Sequence, residues 1–220
     1  MPLSCSVCGA CAEACLYGAR EIAGRLLSVD QVMAEIDKDA MFYEQSGGGV
    51  TLSGGEVMAG HMDFVLDLLR HCRQRGYSVN IDTSGHAPFA NFQRVLEYVD
   101  VFLYDIKLMD SGKHLSWTGH SNKLILENLV KLSALGASIY IRLPLLEGIN
   151  SGDGEINAVI QFLQPLNIQR VYLLPYHDLG RYKAERMGLD TFSLTPPGSK
   201  RLGEIKAMFE KAGYITKIGG

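Results

Sequence analysis

Residues Ser46 to Glu56 read SGGGVTLSGGE. Three glycines lead into the short β-type run Val50-Thr51-Leu52, and Gly54, Gly55 and Glu56 close it. Glycine carries no Cβ, so backbone on either side of such a strand can be approached closely by a ligand. Gly-rich turns also flank many strands that bind nothing, so the stretch by itself supports both readings. Phe64-Val65-Leu66-Asp67-Leu68-Leu69 follows with a helical character, which makes this the first strand–turn–helix unit of a longer pattern.

The pattern repeats downstream. A helix over Met62 to Arg75 stops at Gly76, a C-terminal signal, and the strand Tyr77 to Ile81 runs into Asp82-Thr83-Ser84-Gly85. A helix over Ala90 to Tyr98 precedes the strand Val101 to Tyr104, which leads into Asp105-Ile106-Lys107. Leu108 to Asn122 is polar with a lone Trp117 and reads as an elaborated loop. Then come a helix over Leu124 to Leu135, a strand over Ser138 to Pro144 and a helix over Glu155 to Leu163. The strand Val171 to Leu174 runs into Pro175-Tyr176-His177, and a last helix (Gly198 to Ala212) and strand (Tyr214 to Ile218) close the chain. Upstream, Leu27 to Tyr43 has helical spacing with Ser28 as N-cap. Five or six strands alternating with helices imply a parallel α/β sheet. The strands read as nearly continuous apolar runs, the pattern of strands covered on both faces. A β/α barrel and a doubly wound sheet both satisfy this pattern.

Composition narrows the class. The 220 residues are 47% hydrophobic and 20% charged, with a net charge of −3, which is ordinary for a globular chain and gives no electrostatic reason to expect nucleic acid. No apolar run reaches the ~20 residues of a membrane helix, and no secretory leader pattern opens the sequence. A cytoplasmic protein without membrane partners is expected. Cys5, Cys8, Cys11 and Cys15 follow the C-x2-C-x2-C-x3-C spacing of a ferredoxin-type iron–sulfur run. A disulfide framework needs an oxidising compartment, and zinc prefers two separated cysteine pairs, so the four are expected to ligate a [4Fe–4S] cluster. In two-cluster ferredoxins the fourth cysteine serves the other cluster, and Leu16 replaces the proline that usually follows it. The remaining Cys72 reads as a small buried apolar residue. Residues 1–26 are thus expected to form an iron–sulfur segment and residues 27–220 the β/α unit.

Glu56, Asp82, Thr83, Asp105, Lys107, Arg142 and His177 fall at or just past the C-terminal ends of successive strands. That edge holds the active sites of β/α barrels and the ligand crevices of open sheets. Individually each has a plainer explanation: Asp82 as a turn former, Lys107 as a solvated cation, Arg142 as half of a surface ion pair. Gathered on one rim they point to a site. No GxGxxG, P-loop or HExxH motif is present, and His61, His71, His86, His114 and His120 show no metal-ligand spacing.

Taken together, SGGGVTLSGGE, NIDTSG, FLYDIKLMD, TGHSNKLILENL, IRLPLLEGIN and LLPYHDLGRYK resemble the glycyl-radical enzyme activating enzymes of the radical S-adenosylmethionine superfamily. The resemblance covers almost all of residues 28–188 and implies a partial, TIM-like β/α barrel. It implies that Gly54, Gly55 and Glu56 hold the ammonium of S-adenosylmethionine and that Lys107 meets its carboxylate, a charge-assisted contact. Asp82, Thr83 and Asp105 match a site able to hold a monovalent cation, and Arg142 and His177 match the ribose and adenine end. The implied reaction is one-electron reduction of the sulfonium by a [4Fe–4S] cluster, giving a 5′-deoxyadenosyl radical that takes hydrogen from a glycine of a partner enzyme. A flavodoxin or ferredoxin would supply the electron. The family's C-x3-C-x2-C cluster motif is not matched, because Gly18 stands where Cys11-x3-Cys15 would need its third cysteine. The chain is therefore expected to be an N-terminally truncated activase lacking the first barrel strand, inactive by itself, and prone to associate through the exposed sheet edge. An iron–sulfur electron carrier, a partner-docking protein and a phosphate-binding barrel enzyme are the other classes the residues allow.

Overall fold

Strand order decides between the two sheet architectures. A computed structural model describes residues 6, 8–22, 24–178, 185, 188 and 194–219. Its strands are β1 (Gly49–Leu52), β2 (Ser78–Thr83), β3 (Val101–Asp105), β4 (Ile139–Leu145), β5 (Arg170–Pro175) and β6 (Ile215–Ile218). All neighbouring strands pair parallel, in the order β1-β2-β3-β4-β5-β6. The order never reverses, so there is no topological switch point and the winding is that of a barrel. β1 and β6 do not pair with each other, which leaves an open arc.

One face of the arc is packed by helices α4 (Met62–Gln74), α5 (Phe89–Val95), α7 (Lys123–Ala134), α8 (Asp153–Leu163) and α9 (Ser199–Lys211). Their apolar stripes meet Val79, Ile81, Phe102, Tyr104, Ile141, Leu143, Val171 and Leu173 in one core. Cys72 is buried within it, its Sγ 3.7 Å from the Met33 sulfur. The expectation that both strand faces are covered is corrected here. Burial alternates along β2 through β5, and the half-exposed set includes Asn80, Asp82, Asp105, Tyr140, Arg142, Arg170 and Tyr172. An arc that does not close leaves its inner face open, and polar side chains occupy it.

Two local expectations also change. The helix expected over Leu27 to Tyr43 is α2 (Val29–Ile36), capped by a Ser28–Gln31 capping box, then a 3₁₀ turn at Asp37–Asp39 and α3 (Ala40–Ser46). The stretch expected as a loop over Leu108 to Asn122 contains α6 (Ser111–Thr118). Asp110 caps its start by accepting the Lys113 N–H at 2.7 Å, and Gly119 ends it at φ 78. In the cysteine segment, α1 (Ala10–Glu13) is a single turn. Among the described residues no helix is long and apolar enough to cross a membrane.

Candidate functional site at the C-terminal rim

The β1 and β2 ends meet through Glu56. Its Oε1 accepts the Thr83 hydroxyl at 2.6 Å and the Met58 N–H at 3.1 Å, while Oε2 accepts the Ser84 N–H at 2.7 Å and the Ser84 hydroxyl at 2.6 Å. Four donors fill the carboxylate, so Glu56 staples the two rim turns together. Thr83 is buried on the helix-covered face and points to this staple, whereas Asp82 alternates onto the open face. Gly54, exposed with φ 121, and Gly55 have open space where a Cβ would stand, so their backbone is free to be approached.

The open face carries a charge network. Arg142 Nη1 lies 2.6 Å from Asp82 Oδ2, Arg142 Nε lies 3.6 Å from Asp105 Oδ1, and Lys107 Nζ lies 3.4 Å from Asp105 Oδ2. Ser53 adds a hydroxyl to Asp82 Oδ2 at 3.0 Å. Two carboxylates and two cations balance, yet Asp105 Oδ1 is buried without a hydrogen-bond partner. Burial pushes the Asp105 carboxyl above the usual carboxylate range, and the nearby Lys107 and Arg142 offset only part of this. The structure thus brings Asp82, Asp105, Lys107 and Arg142 together. Arg142 lies within β4, opposite Asp105, rather than past its end. His177 is exposed beyond β5, and no contact with the network is assigned to it.

Around the cysteines, backbone amides do the electrostatic work. Cys15 Sγ accepts the Ala19 N–H at 3.2 Å. The Cys8 thiol is held below its usual value by the Ala10 backbone and then by Ser6, and the Cys15 thiol by the amides of Tyr17 and Ala19. Thiols disposed to ionise are the donor type an iron–sulfur cluster requires. Cys5 lies outside the described residues, and among the described residues no three metal-ligating side chains converge.

Comparison with known proteins fixes the family. Residues 2–126 match the family model described as a 4Fe-4S single cluster domain. The chain is 50% identical over 206 residues to the trans-4-hydroxy-L-proline dehydratase activating enzyme of Clostridioides difficile, covering 92% of this chain and 68% of that one. The chain belongs to the glycyl-radical enzyme activating enzymes, within the radical S-adenosylmethionine superfamily. A second activating enzyme, for choline trimethylamine-lyase in Oleidesulfovibrio alaskensis, is 37% identical over 77% of this chain, which spans 56% of its length. The crystal structure of a domain of the pyruvate-formate lyase-activating enzyme from Bacteroides vulgatus superposes with a TM-score of 0.68 at 31% identity, over 79% of this chain and all of that one. The partial barrel expected from the sequence is the fold of this activase family.

Within this activase fold, several site-building residues escape a sequence reading. Ser53 and Ser84 sit in the recognised motifs, but their partners become visible only when the turns after β1 and β2 approach. Asn122, Asn150 and Glu155 hold the backbone from Lys107 to Met109; the two asparagines also sit in recognised motifs, but nothing local in the sequence shows what they bond to.

Proposed function

We propose that this chain carries the S-adenosylmethionine-gripping part of a glycyl-radical enzyme activase. The observation behind this is the buried Asp105 Oδ1, which has an ion-pair contact to Arg142 but no hydrogen bond, beside Lys107, on the rim that also presents the open Gly54-Gly55 turn. A buried acceptor without a hydrogen bond suits a bound cation, and an amine with one weak partner suits the carboxylate end of an amino acid. Gly54 and Gly55 supply backbone acceptors, and Glu56 holds their turn rigid instead of reaching the ligand with an already filled carboxylate. Asp82 and Asp105, hard oxygen donors, are the proposed seat of a monovalent cation, with Thr83 behind them on the Glu56 staple. Arg142 keeps the two carboxylates apart and neutralised on the ribose side, and His177 is assigned to the adenine end. Cys5, Cys8, Cys11 and Cys15 are the proposed ligands of an auxiliary [4Fe–4S] cluster in the segment 1–26. S-adenosylmethionine, once reduced by one electron from a flavodoxin or ferredoxin, would supply the radical chemistry that takes hydrogen from a glycine of the partner enzyme.

These 220 residues contain no C-x3-C-x2-C run, so they are assigned binding and not reductive cleavage. Titration calorimetry should show S-adenosylmethionine binding that Lys107→Ala weakens at least tenfold. After anaerobic iron–sulfide reconstitution and reduction, no 5′-deoxyadenosine should form. Binding indifferent to Lys107 would refute the grip, and 5′-deoxyadenosine above background would refute the division of labour.

A further inference from the structure

The β3–β4 ladder stops because of one residue. Asp105 stands opposite Arg142, and the Ile106 N–H donates to the Arg142 carbonyl at 3.0 Å. The next rung of a parallel ladder would be an N–H from the residue after Leu143 to the Ile106 carbonyl. That residue is Pro144, which has no N–H. β4 continues alongside β5, with Pro144 opposite Leu174 and Leu145 opposite Pro175. Lys107 therefore leaves the sheet just where its side chain has to be aimed.

Three side chains from elsewhere replace the missing ladder. Asn150, buried in the turn between β4 and α8, donates from Nδ2 to the Lys107 carbonyl at 2.9 Å and the Pro144 carbonyl at 2.7 Å. Its Oδ1 accepts the Leu146 N–H at 2.8 Å. Asn122, buried before α7, donates to the carbonyls of Leu108 at 2.9 Å and Met109 at 2.8 Å. Glu155, in the first turn of α8, accepts the Met109 N–H. A side-chain amide donates twice from one nitrogen, which an aspartate at either position could not do. Leu108 is buried beneath the turn.

We propose that Asn150, aided by Asn122 and Glu155, is a positioning residue for Lys107. The clamp fixes the Lys107 main chain so that a long, flexible side chain starts from one place and meets Asp105. This builds on the ligand-binding role proposed for Lys107, and it lowers the ordering cost that binding would otherwise meet.

Competitive acetylation of the native 220-residue chain, read by mass spectrometry, ranks its lysines in one sample. Lys113, exposed on α6, serves as the internal standard. Lys107 should acetylate several-fold more slowly than Lys113. Asn150→Ala should raise the Lys107 to Lys113 ratio several-fold while Lys131 and Lys206 stay unchanged, and Glu155→Gln, which keeps an acceptor for Met109, should leave the ratio near its starting value. Should Asn150→Ala not fold, Asn122→Ala carries the same test of the ratio. Equal reactivity of Lys107 and Lys113 in the unaltered chain would overturn the proposal. So would Asn150→Ala, or Asn122→Ala in its place, if it leaves Lys107 unchanged or raises every lysine together. Added S-adenosylmethionine separates the two claims. Protection of Lys107 in the unaltered chain and not in Asn150→Ala supports both. No protection in the unaltered chain, with Lys107 still freed by Asn150→Ala, keeps the positioning and removes the cofactor role.

Discussion

The cysteine segment and the barrel arc obtain their order from different sources. Among the described residues before Ser28 only Gly9 is buried, while Leu16, Tyr17 and Leu26 are 95%, 94% and 102% exposed. The arc, by contrast, shares one core that runs from α2 to Tyr214. Ordering a residue costs about 1–2 kcal/mol of backbone entropy, and the cysteine segment has almost no apolar burial to offset it. Ligand bonds to a cluster would supply what packing does not, as in small metal-folded domains. The barrel arc packs its own core, and at its rim Asp105 Oδ1 is buried without a hydrogen bond.

The largest expected effect tests the packed side of this contrast. Phe92 is fully buried between α5 and β3, so Phe92→Ala should cost about 3–5 kcal/mol in urea unfolding. Leu16→Ala should leave the same midpoint where it was. Equal losses from both would mean that the segment packs on the barrel after all.

Within the barrel, two glycine turns should separate by a smaller margin. Gly85 has φ 77, and a Cβ there would lie 1.7 Å from the Tyr104 hydroxyl oxygen. That hydroxyl donates to the Ile125 carbonyl at 2.6 Å, so it has little freedom to yield. Gly85→Ala should cost about 2–4 kcal/mol from strain plus overpacking. Gly54 has φ 121 with open space around it, and Gly54→Ala should cost only about 1–2 kcal/mol of backbone strain. Thermal unfolding of both variants checks the ranking, and an inverted order would show that the Gly54 turn is a packed element.

A smaller effect still is expected on the barrel from iron removal. Chelation of the reconstituted protein should speed tryptic cleavage after Arg20 and Arg25 while the barrel's melting temperature holds. A parallel fall in that temperature would couple the two regions.

Legibility follows the same division. Element positions were readable because strands and helices carry apolar periods and Gly76 and Gly136 mark helix ends. Periodicity alone did not give the sheet's winding, since β/α alternation is common to barrels and doubly wound sheets; the motifs shared with the activase family pointed to the partial barrel. A signal for the open inner face did exist: Asn80, Asp82, Asp105, Arg142 and Arg170 recur at alternate strand positions, which is not the pattern of strands covered on both sides. Helix α6 was missed because Ser111-Gly112-Lys113-His114 has no apolar period and a glycine inside; its caps, Asp110 and Gly119, define it instead. Glu56 could be placed on the rim from sequence, but its four donors come from residues as distant as Ser84, and only the folded turns bring them in.

The smallest expected effect concerns the one carboxyl that the rim leaves incompletely paired. Burial raises the Asp105 pKa in the native state above its unfolded value, so the folded chain holds that proton more tightly than the unfolded chain does. Its contribution is therefore most favourable at acid pH. It declines as pH rises from about 4, the ordinary aspartate value, through the raised native value. This slope runs opposite to that of a carboxylate stabilised by its ion pairs. Asp105→Asn should remove it, leaving the variant relatively more stable on the neutral side, because Arg142 retains Asp82 as a partner at 2.6 Å. Denaturant unfolding at several pH values between 4 and 8 measures the slope directly. A variant curve parallel to that of the unaltered chain would mean that Lys107 and Arg142 fully compensate the buried charge, and the rim would then have no acceptor in want of a ligand.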